Sequence, residues 1–172
     1  MTKKVRATAI LGALGVALFW GCAAKKKNLP PQPSAPELLP GSEEIRDTAA
    51  ASRRERIQAR IAELFIPIYF EYDQSALSPQ ARSVLGAIGM FMKETPEISV
   101  TVEGHADERG TESYNLALGE KRAQVASSYL KQMGVEEGRL SVLSYGEERP
   151  AEEGTDERAW AKNRRDEFRV TF

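Results

Sequence analysis

GHADERGTESYNLALGEKRA, residues 104–123, sets the strand–loop–helix order around which the rest of the chain is arranged. Asp107 lies in a glycine-bounded loop after an alternating apolar segment, and Arg122 lies fifteen positions later on the helix that leaves the loop. A carboxylate and a guanidinium held close together match the two charges of a zwitterion. The stretch therefore predicts a binding site before it predicts a catalytic one.

The composition is that of a soluble globular protein with room for one domain. The chain has 172 residues, of which 41% are hydrophobic and 28% are charged, so it can hold a domain of about 100 to 150 residues plus additional segments. Outside residues 1–21 the chain has 21 basic against 25 acidic residues. This acidic balance argues against a nucleic-acid partner.

Residues 1–21 have the pattern of a signal peptide. A basic start, MTKKVRA, precedes an apolar run from Thr8 to Trp20 that is too short to span a bilayer. The run ends before Cys22, the only cysteine, which resembles the lipid-attachment cysteine of a bacterial lipoprotein although Phe19 and Trp20 depart from the usual lipobox. Ala23 stands where an inner-membrane retention signal has Asp, which indicates the outer membrane. The alternative is an ordinary cleaved signal peptide with an incidental cysteine.

Residues 22–41 are interpreted as the lipidated cysteine and a spacer. Five prolines between residues 23 and 41 favour extended backbone, although a proline-rich ligand for another domain has a similar composition. Residues 42–64 are predicted to form a helix that begins at Ser42 and carries a narrow apolar stripe, Ile57, Ile61 and Leu64. This helix is either a frayed connector or docked on the domain.

From residue 65 onward, strand-period and helix-period segments alternate. Apolar residues recur at every second position in four segments, which are Ile66–Tyr72, Ile98–Gly104, Leu140–Ser144 and Phe168–Phe172. The alternation indicates a sheet with one covered and one wet face. We therefore predict an α+β fold, a two-layer sandwich of βαβαβαβ order with a four-stranded mixed sheet covered by helices on one face.

Three helices are expected between these strands. Ser78-Pro79 opens the first, and Thr95-Pro96 ends it. The second runs from about Thr111 to Gly134, with an apolar face of Leu116, Gly119, Ala123, Ala126, Leu130 and Met133. The third is expected over residues 155–163 with Trp160 as its buried residue.

Four stretches in residues 65–172 carry a family resemblance. IYFEYDQSALSP, VTVEGHADERGTESYNLALGEKRAQVASSYL, LSYGEERP and AKNRR resemble the peptidoglycan-associated lipoproteins of Gram-negative bacteria, whose members carry an OmpA-like peptidoglycan-binding domain. Asp166 stands where that family more usually has an apolar residue. The resemblance implies an outer-membrane lipoprotein that faces the periplasm, binds peptidoglycan noncovalently and has TolB and TolA as partners, without a cofactor or a resident metal.

The resemblance also implies a ligand and its site. By motif position, Asp107 and Arg122 would hold the diaminopimelate residue of the peptidoglycan stem peptide. The positions that line the family's pocket correspond here to Tyr72, Asp73, His105, Ala106, Glu108, Asn115 and Leu118.

Simpler structural roles exist for several of these residues. Asp107 is also suited to a loop cap and Arg122 to a surface pair on its helix. A structural hydrogen bond is the more common role for a histidine at the position of His105. Glu108 and Arg109 are able to pair with Asp73 or Glu112, and Arg164 and Arg165 to join the third helix to the loops.

The sequence also bears on two other functions. A wall hydrolase could use Asp107 and Glu108, but adjacent carboxylates in a loop seldom flank one glycosidic bond at the required separation. The chain has no second histidine for a zinc site, no Ser/His/acid set and no cysteine nucleophile besides Cys22. An OmpA-like wall anchor of another envelope assembly would use the same site and differ only in its partner.

Overall fold

The computed structural model describes residues 42–172, with side chains from residue 48 onward. The predicted signal peptide at 1–21, the lipid-attachment residue Cys22 and the proline-rich segment up to residue 41 lie outside the described residues. Within residues 42–172, no helix combines the length and the apolar character needed to cross a membrane.

Four helices and four strands follow one another in the described part of the chain. The bounds of the helices are α1 Ser42–Leu64, α2 Pro79–Glu94, α3 Glu112–Gln132 and α4 Glu157–Asn163. The bounds of the strands are β1 Ile68–Tyr69, β2 Ser99–His105, β3 Leu140–Gly146 and β4 Arg165–Thr171. From β1 onward, the order is the predicted βαβαβαβ, and the α+β class with a four-stranded mixed sheet is confirmed.

The sheet has the strand order β1-β4-β2-β3. β2 pairs with β3 in parallel and with β4 in antiparallel orientation, while β1 pairs with β4 in antiparallel orientation. The last strand therefore runs through the middle of the sheet. Asp166 lies inside that strand, where it pairs with Ile68 on one side and Gly104 on the other.

The first strand is shorter than its alternating pattern predicted. Only Ile68 and Tyr69 form strand, although apolar residues alternate from Ile66 to Tyr72. Ile66 and Tyr72, at the two ends of the pattern, are exposed. The chain turns away beyond Phe70, where Asp73 adopts a left-handed backbone with φ 55°, so the pairing with β4 cannot continue.

Two expectations about buried helix residues were wrong. The periodicity of α3 predicts Leu116 on its apolar face, but Leu116 is exposed, because the face that packs on the sheet runs through Gly119, Ala123, Ala126 and Leu130. In α4 the buried apolar residue is Ala159 and not Trp160, which is only partly buried. The large indole lies at the rim of the domain and contacts the loop after β2.

The core lies between the sheet and α2 and α3. Val100 and Val102 of β2 contribute from the sheet, Leu85 and Ile88 from α2, and Leu130 from α3. All five of these side chains are at most 1% exposed. The opposite face of the sheet carries exposed residues such as Leu143, as the alternating pattern predicted.

α1 docks on this domain through its second half. Ile57 is buried in the core cluster, and Ile61 and Leu64 pack against it. Arg53 forms an ion pair with Glu97 at 2.8 Å, and the Arg54 guanidinium lies 5.3 Å from the centre of the Phe172 ring. Of the two alternatives for this helix, the structure therefore has the docked one.

α3 approaches β2 at a glycine pair. A Cβ on Gly104 would lie 2.0 Å from the carbonyl oxygen of Gly119, and a Cβ on Gly119 would lie 2.4 Å from Ser144 Oγ. The Ser144 hydroxyl also donates to the Leu116 carbonyl at 2.7 Å. This close approach determines where the N-terminal half of α3 lies relative to the end of β2.

We expect Gly104→Ala to destabilise the domain by about 1 to 3 kcal/mol, because the added methyl group meets backbone atoms that cannot move without displacing α3. Urea unfolding followed by circular dichroism measures this change.

The matched control is Gly86→Ala in α2, where the added methyl meets nothing within 4 Å. It should be neutral or stabilise by up to about 1 kcal/mol. Equal stability of the Gly104→Ala variant and the wild type would contradict the close approach.

Candidate functional site

Asp107 is a buried carboxylate held by two arginines. It is 5% exposed, and it accepts hydrogen bonds from Arg109 Nη2 at 2.6 Å and from Arg164 Nη1 at 3.2 Å. The backbone N–H of Arg109 also donates to its Oδ1 at 3.2 Å, so Asp107 caps its own loop as well. Burial raises the pKa of this carboxyl, but the hydrogen bonds from Arg109 and Arg164 outweigh burial and leave the pKa below its usual range.

Arg109 is held between two aromatic rings. Its guanidinium carbon lies 4.1 Å from the centre of the Tyr72 ring and 4.1 Å from the centre of the Trp160 ring. Arg109 Nη1 also lies 3.6 Å from Glu157 Oε2. The expected partners Asp73 and Glu112 are therefore wrong for Arg109, and the stack places Tyr72 beside the Asp107 loop.

Arg164 joins three parts of the fold. Besides Asp107, it donates to the Phe70 carbonyl at 3.1 Å and to Glu157 at 2.7 Å. The expectation that it joins the last helix to the loops is confirmed. Because Arg164 and Asp107 are both buried, water could not solvate either charge if the other were removed.

Arg122 is fully buried and is not a surface partner on its helix. Its guanidinium donates to the carbonyls of Gln74 at 2.8 Å, His105 at 2.8 Å and Glu71 at 3.3 Å. Its guanidinium carbon lies 5.0 Å from the centre of the Phe70 ring. Burial lowers the pKa of Arg122, while the negative charges of Asp166 and Asp107 oppose that effect.

Asp107 and Arg122 thus lie at the same end of the sheet, although they do not bond to each other. Arg122 binds the carbonyl of His105, two positions before Asp107. Arg164 links Asp107 to the Phe70 carbonyl, and the Phe70 ring lies against Arg122. The predicted minus and plus charges are therefore neighbours, but each already has protein partners.

A shallow cleft opens beside Arg122. It has a volume of about 350 Å³ and is lined by Asp73, Gln74, Ser75, Tyr114, Ala117, Leu118 and Lys121. The Tyr114 hydroxyl donates to the Asp73 carboxylate and so closes one side. Two expected site residues, Asp73 and Leu118, line this cleft, and the Gln74 carbonyl connects its wall to Arg122.

A second cleft lies on the other side of the loop. It has a volume of about 250 Å³, and its lining includes the expected site residues Ala106 and Glu108 together with Glu147. Asn115, also expected at the site, is buried and donates its amide to Glu147. Glu108 accepts from Trp160 Nε1 at 3.1 Å, so it does not pair with Asp73 or Glu112 as considered from the sequence.

A larger groove of about 580 Å³ runs along β1 and α2 and is mostly apolar. None of the nine ligand-binding residues predicted from the sequence lines this groove.

The His105 ring lies away from both clefts. It is 2% exposed and stacks on Tyr145 with 5.5 Å between ring centres. Burial lowers its pKa to about 4, with the positive charges of Arg165 and Arg149 acting in the same direction and Glu167 opposing them. What His105 contributes to the site is therefore its backbone carbonyl, which holds Arg122.

Asp166 is a buried acid that the sequence marked only as a departure from the family pattern. It is fully buried, and neither carboxylate oxygen has a hydrogen-bond partner among the described residues. Burial raises its pKa well above the usual range, and the charge of Arg122 opposes this shift. Arg122 therefore has two acidic groups near it, Asp107 and Asp166.

The chemistry of this arrangement favours binding over catalysis. A general acid needs a raised pKa, whereas Asp107 has a lowered one. Its neighbour Glu108 is exposed and bonded to an indole N–H. The two carboxylates are thus not placed as an acid and base pair, but the neighbouring opposite charges of Asp107 and Arg122 are suited to an ionic ligand.

Comparison with known proteins gives a consistent family result. A sequence model of the OmpA family matches residues 69–164. The peptidoglycan-associated lipoprotein of Pseudomonas putida is 39% identical over 157 residues, which cover 91% of this chain and 92% of that protein. The protein of the same name from Pseudomonas aeruginosa is 48% identical over 101 residues, or 59% of this chain and 60% of that protein.

Solved structures show the same fold. The crystal structure of the peptidoglycan-associated lipoprotein from Burkholderia pseudomallei has a TM-score of 0.60 at 35% identity and covers 61% of this chain and 89% of that one. The C-terminal domain of Helicobacter pylori MotB has a TM-score of 0.58 at 24% identity, with 62% of this chain and 84% of that one covered. The second likeness supports the fold alone.

The lowered pKa of His105 makes stability depend on pH. Between about 4 and 6.5 the unfolded chain binds a proton that the folded chain does not, so the free energy of unfolding rises with pH and levels off above 6.5. We expect the wild type to lose about 3 kcal/mol between the upper and lower ends of this window. Urea unfolding at several pH values, with a chelator present, measures it.

His105→Gln is the matched variant, since His105 is the only histidine in the chain. It should remove this slope while leaving the acid-induced loss below pH 4 in place. The same slope in both proteins would show that another group is responsible.

Proposed function

The chain belongs to the OmpA family and, within it, to the peptidoglycan-associated lipoproteins, and from this membership we propose that it binds the diaminopimelate stem peptide of peptidoglycan without catalysis. The observation that carries this proposal is the placement of Asp107 and Arg122 as neighbours at one end of the sheet. In this proposal Asp107 receives the ammonium group of diaminopimelate and Arg122 receives its carboxylate.

The charges of the ligand match this assignment. Diaminopimelate carries an ammonium and a carboxylate on one carbon, and a guanidinium binds a carboxylate with two parallel hydrogen bonds. Charge-assisted hydrogen bonds contribute about 1.5 to 3 kcal/mol each. Two of them therefore supply a large share of the about 8 kcal/mol of a micromolar complex.

The ligand has to replace partners that the two side chains already have. At Asp107 the ammonium competes with Arg109, which is the more exposed of its two arginine partners. At Arg122 the carboxylate competes with the carbonyls of Glu71 and Gln74. We therefore propose that segment 71–75, whose residues 73–75 form one wall of the larger of the two clefts, moves when the stem peptide binds.

The other expected residues have separate parts in this proposal. Asp73 and Leu118 line the cleft next to Arg122, while Tyr72, whose side chain is 57% exposed, stacks on Arg109 beside Asp107. Asn115, Ala106 and Glu108 shape the loop from the opposite side. His105 acts through its carbonyl.

The family and the N-terminal sequence support a cellular setting for this proposal. We propose that Cys22 carries the lipid that anchors the chain in the outer membrane, and that the proline-rich segment lets the domain reach the cell wall. The several acyl chains of a bacterial lipoprotein make such an anchor effectively permanent. TolB and TolA are the proposed protein partners, which places the chain in the Tol-Pal system with a role in envelope integrity and cell division.

The test measures retention of the full-length chain, in detergent, on purified sacculi. We expect retention on sacculi with diaminopimelate in the stem peptide and release by free diaminopimelate. Sacculi with lysine at that position should retain little, because lysine lacks the second carboxylate. Arg122→Lys and Asp107→Asn should each weaken retention by about ten- to a hundredfold, since lysine cannot form two parallel hydrogen bonds to the carboxylate and asparagine has no charge to pair with the ammonium.

Because Arg122 and Asp107 also hold the loop, circular dichroism and thermal unfolding have to show that each variant is folded. Arg56→Lys on the exposed part of α1 is the matched control and should bind as the wild type does. Equal retention on lysine-type sacculi, or unchanged retention of both folded site variants, would refute the proposal.

A further inference from the structure

Three side chains of types that bind metal ions lie close together on the face of the sheet that the helices do not cover. Glu103 and His105 are two positions apart on β2 and point to the same face, and Glu167 of β4 is the cross-strand partner of Glu103. One ligand atom from each of the three lies within 4.8 Å of the others. This cluster is separate from the two clefts beside the Asp107 loop.

His105 is the unusual member of the cluster. Its ring is almost fully buried, and neither ring nitrogen makes a hydrogen bond of normal distance and angle with the described residues, although the Arg149 backbone lies near enough to oppose part of the fall in its pKa. Buried polar groups nearly always have a partner, so this imidazole has an unused acceptor that lies near two carboxylates. A neutral imidazole nitrogen is a common metal ligand.

The donor set has a clear chemical preference. Two carboxylates and one imidazole suit divalent ions such as Zn²⁺, which takes nitrogen and oxygen ligands and often keeps an open position for water. Glu103 and His105 are buried, while the side chain of Glu167 is 40% exposed and leaves a path for an ion from solvent. We propose that Glu103, His105 and Glu167 bind one divalent transition-metal ion on the open face of the sheet.

Two arginines compete with the metal for the carboxylates. Arg169 Nη2 lies 2.5 Å from Glu103 Oε1, and Arg165 Nε donates to Glu167 Oε1 at 2.6 Å. The side chain of Arg169 is 56% exposed, so it is free to turn into water when an ion takes its place. Arg165 is buried and stays near the site, which limits the affinity.

Because Arg169 competes with the metal ion, its removal should change the metal affinity in a predictable direction. Removing the Arg169 charge should tighten metal binding, because Glu103 then loses a competing cation and the local positive charge falls. If these residues form only ion pairs with one another, neither the wild type nor a variant without the Arg169 charge will bind a metal ion.

The experiment titrates the full-length chain, in detergent and without a histidine tag, with Zn²⁺ in a calorimeter after treatment with a chelator. We expect one ion per chain. His105→Gln and Glu167→Gln should each weaken binding by at least about tenfold, since loss even of a group that only orients a ligand has an effect of that size. Arg169→Gln should bind more tightly than the wild type, and Glu153→Gln, an exposed acid outside the cluster, should bind as the wild type does.

A second readout follows the histidine itself. The chain has one histidine, so its imidazole proton signals in a nuclear magnetic resonance spectrum are unambiguous. Co²⁺ should shift or broaden them at one equivalent. Should His105→Gln fail to fold, Glu167→Gln and Arg169→Gln decide the question by their opposite effects.

Absence of stoichiometric Zn²⁺ binding in both the wild type and Arg169→Gln would overturn the inference. Unchanged binding in folded His105→Gln would do the same.

Discussion

The hydrogen bonds of the buried Arg122 guanidinium hold together the end of the sheet at which β1 and β2 finish. The guanidinium donates hydrogen bonds to three backbone carbonyls, those of Glu71, Gln74 and His105, which belong to two segments far apart in sequence. Carbonyl groups in irregular backbone need donors when they are buried, and Arg122 supplies them from the interior of α3. The short β1, the turn after it and the end of β2 are thus held together by one side chain.

The close approach of α3 to β2 makes that arrangement possible. Gly104 and Gly119 allow the helix to lie against the strand with no intervening side chain. Arg122 is one turn further along the same helix, so its position follows from the glycine contact. Asp107 and Arg164 then form a buried ion pair on the neighbouring loop, and the aromatic rings of Tyr72 and Trp160 cover Arg109.

The two faces of the sheet have different chemistry because successive side chains of a strand point to opposite faces. Strand alternation places Val100 and Val102 toward the helices and Glu103 and His105 toward the other side. The helix face forms the core and supports the loop that carries Asp107. The open face collects charged residues, among them the cluster that we propose as a metal site.

Sequence patterns predict the element order, the mixed class of the fold and the closeness of Asp107 to Arg122 along one strand–loop–helix unit. These features follow from local periodicity and from glycine and cap residues, such as Ser78 and Thr111, that act within a few positions. Tertiary structure alone decided the short length of β1, the exposure of Leu116 and the partners of Arg122, Arg109 and Arg164. It also brought Glu167 beside Glu103 and His105, because that contact depends on how β4 registers against β2 more than sixty residues away in the chain. Local sequence patterns do not predict such contacts. Hydrogen bonds and ion pairs between distant segments form only once the packed core has brought those segments together.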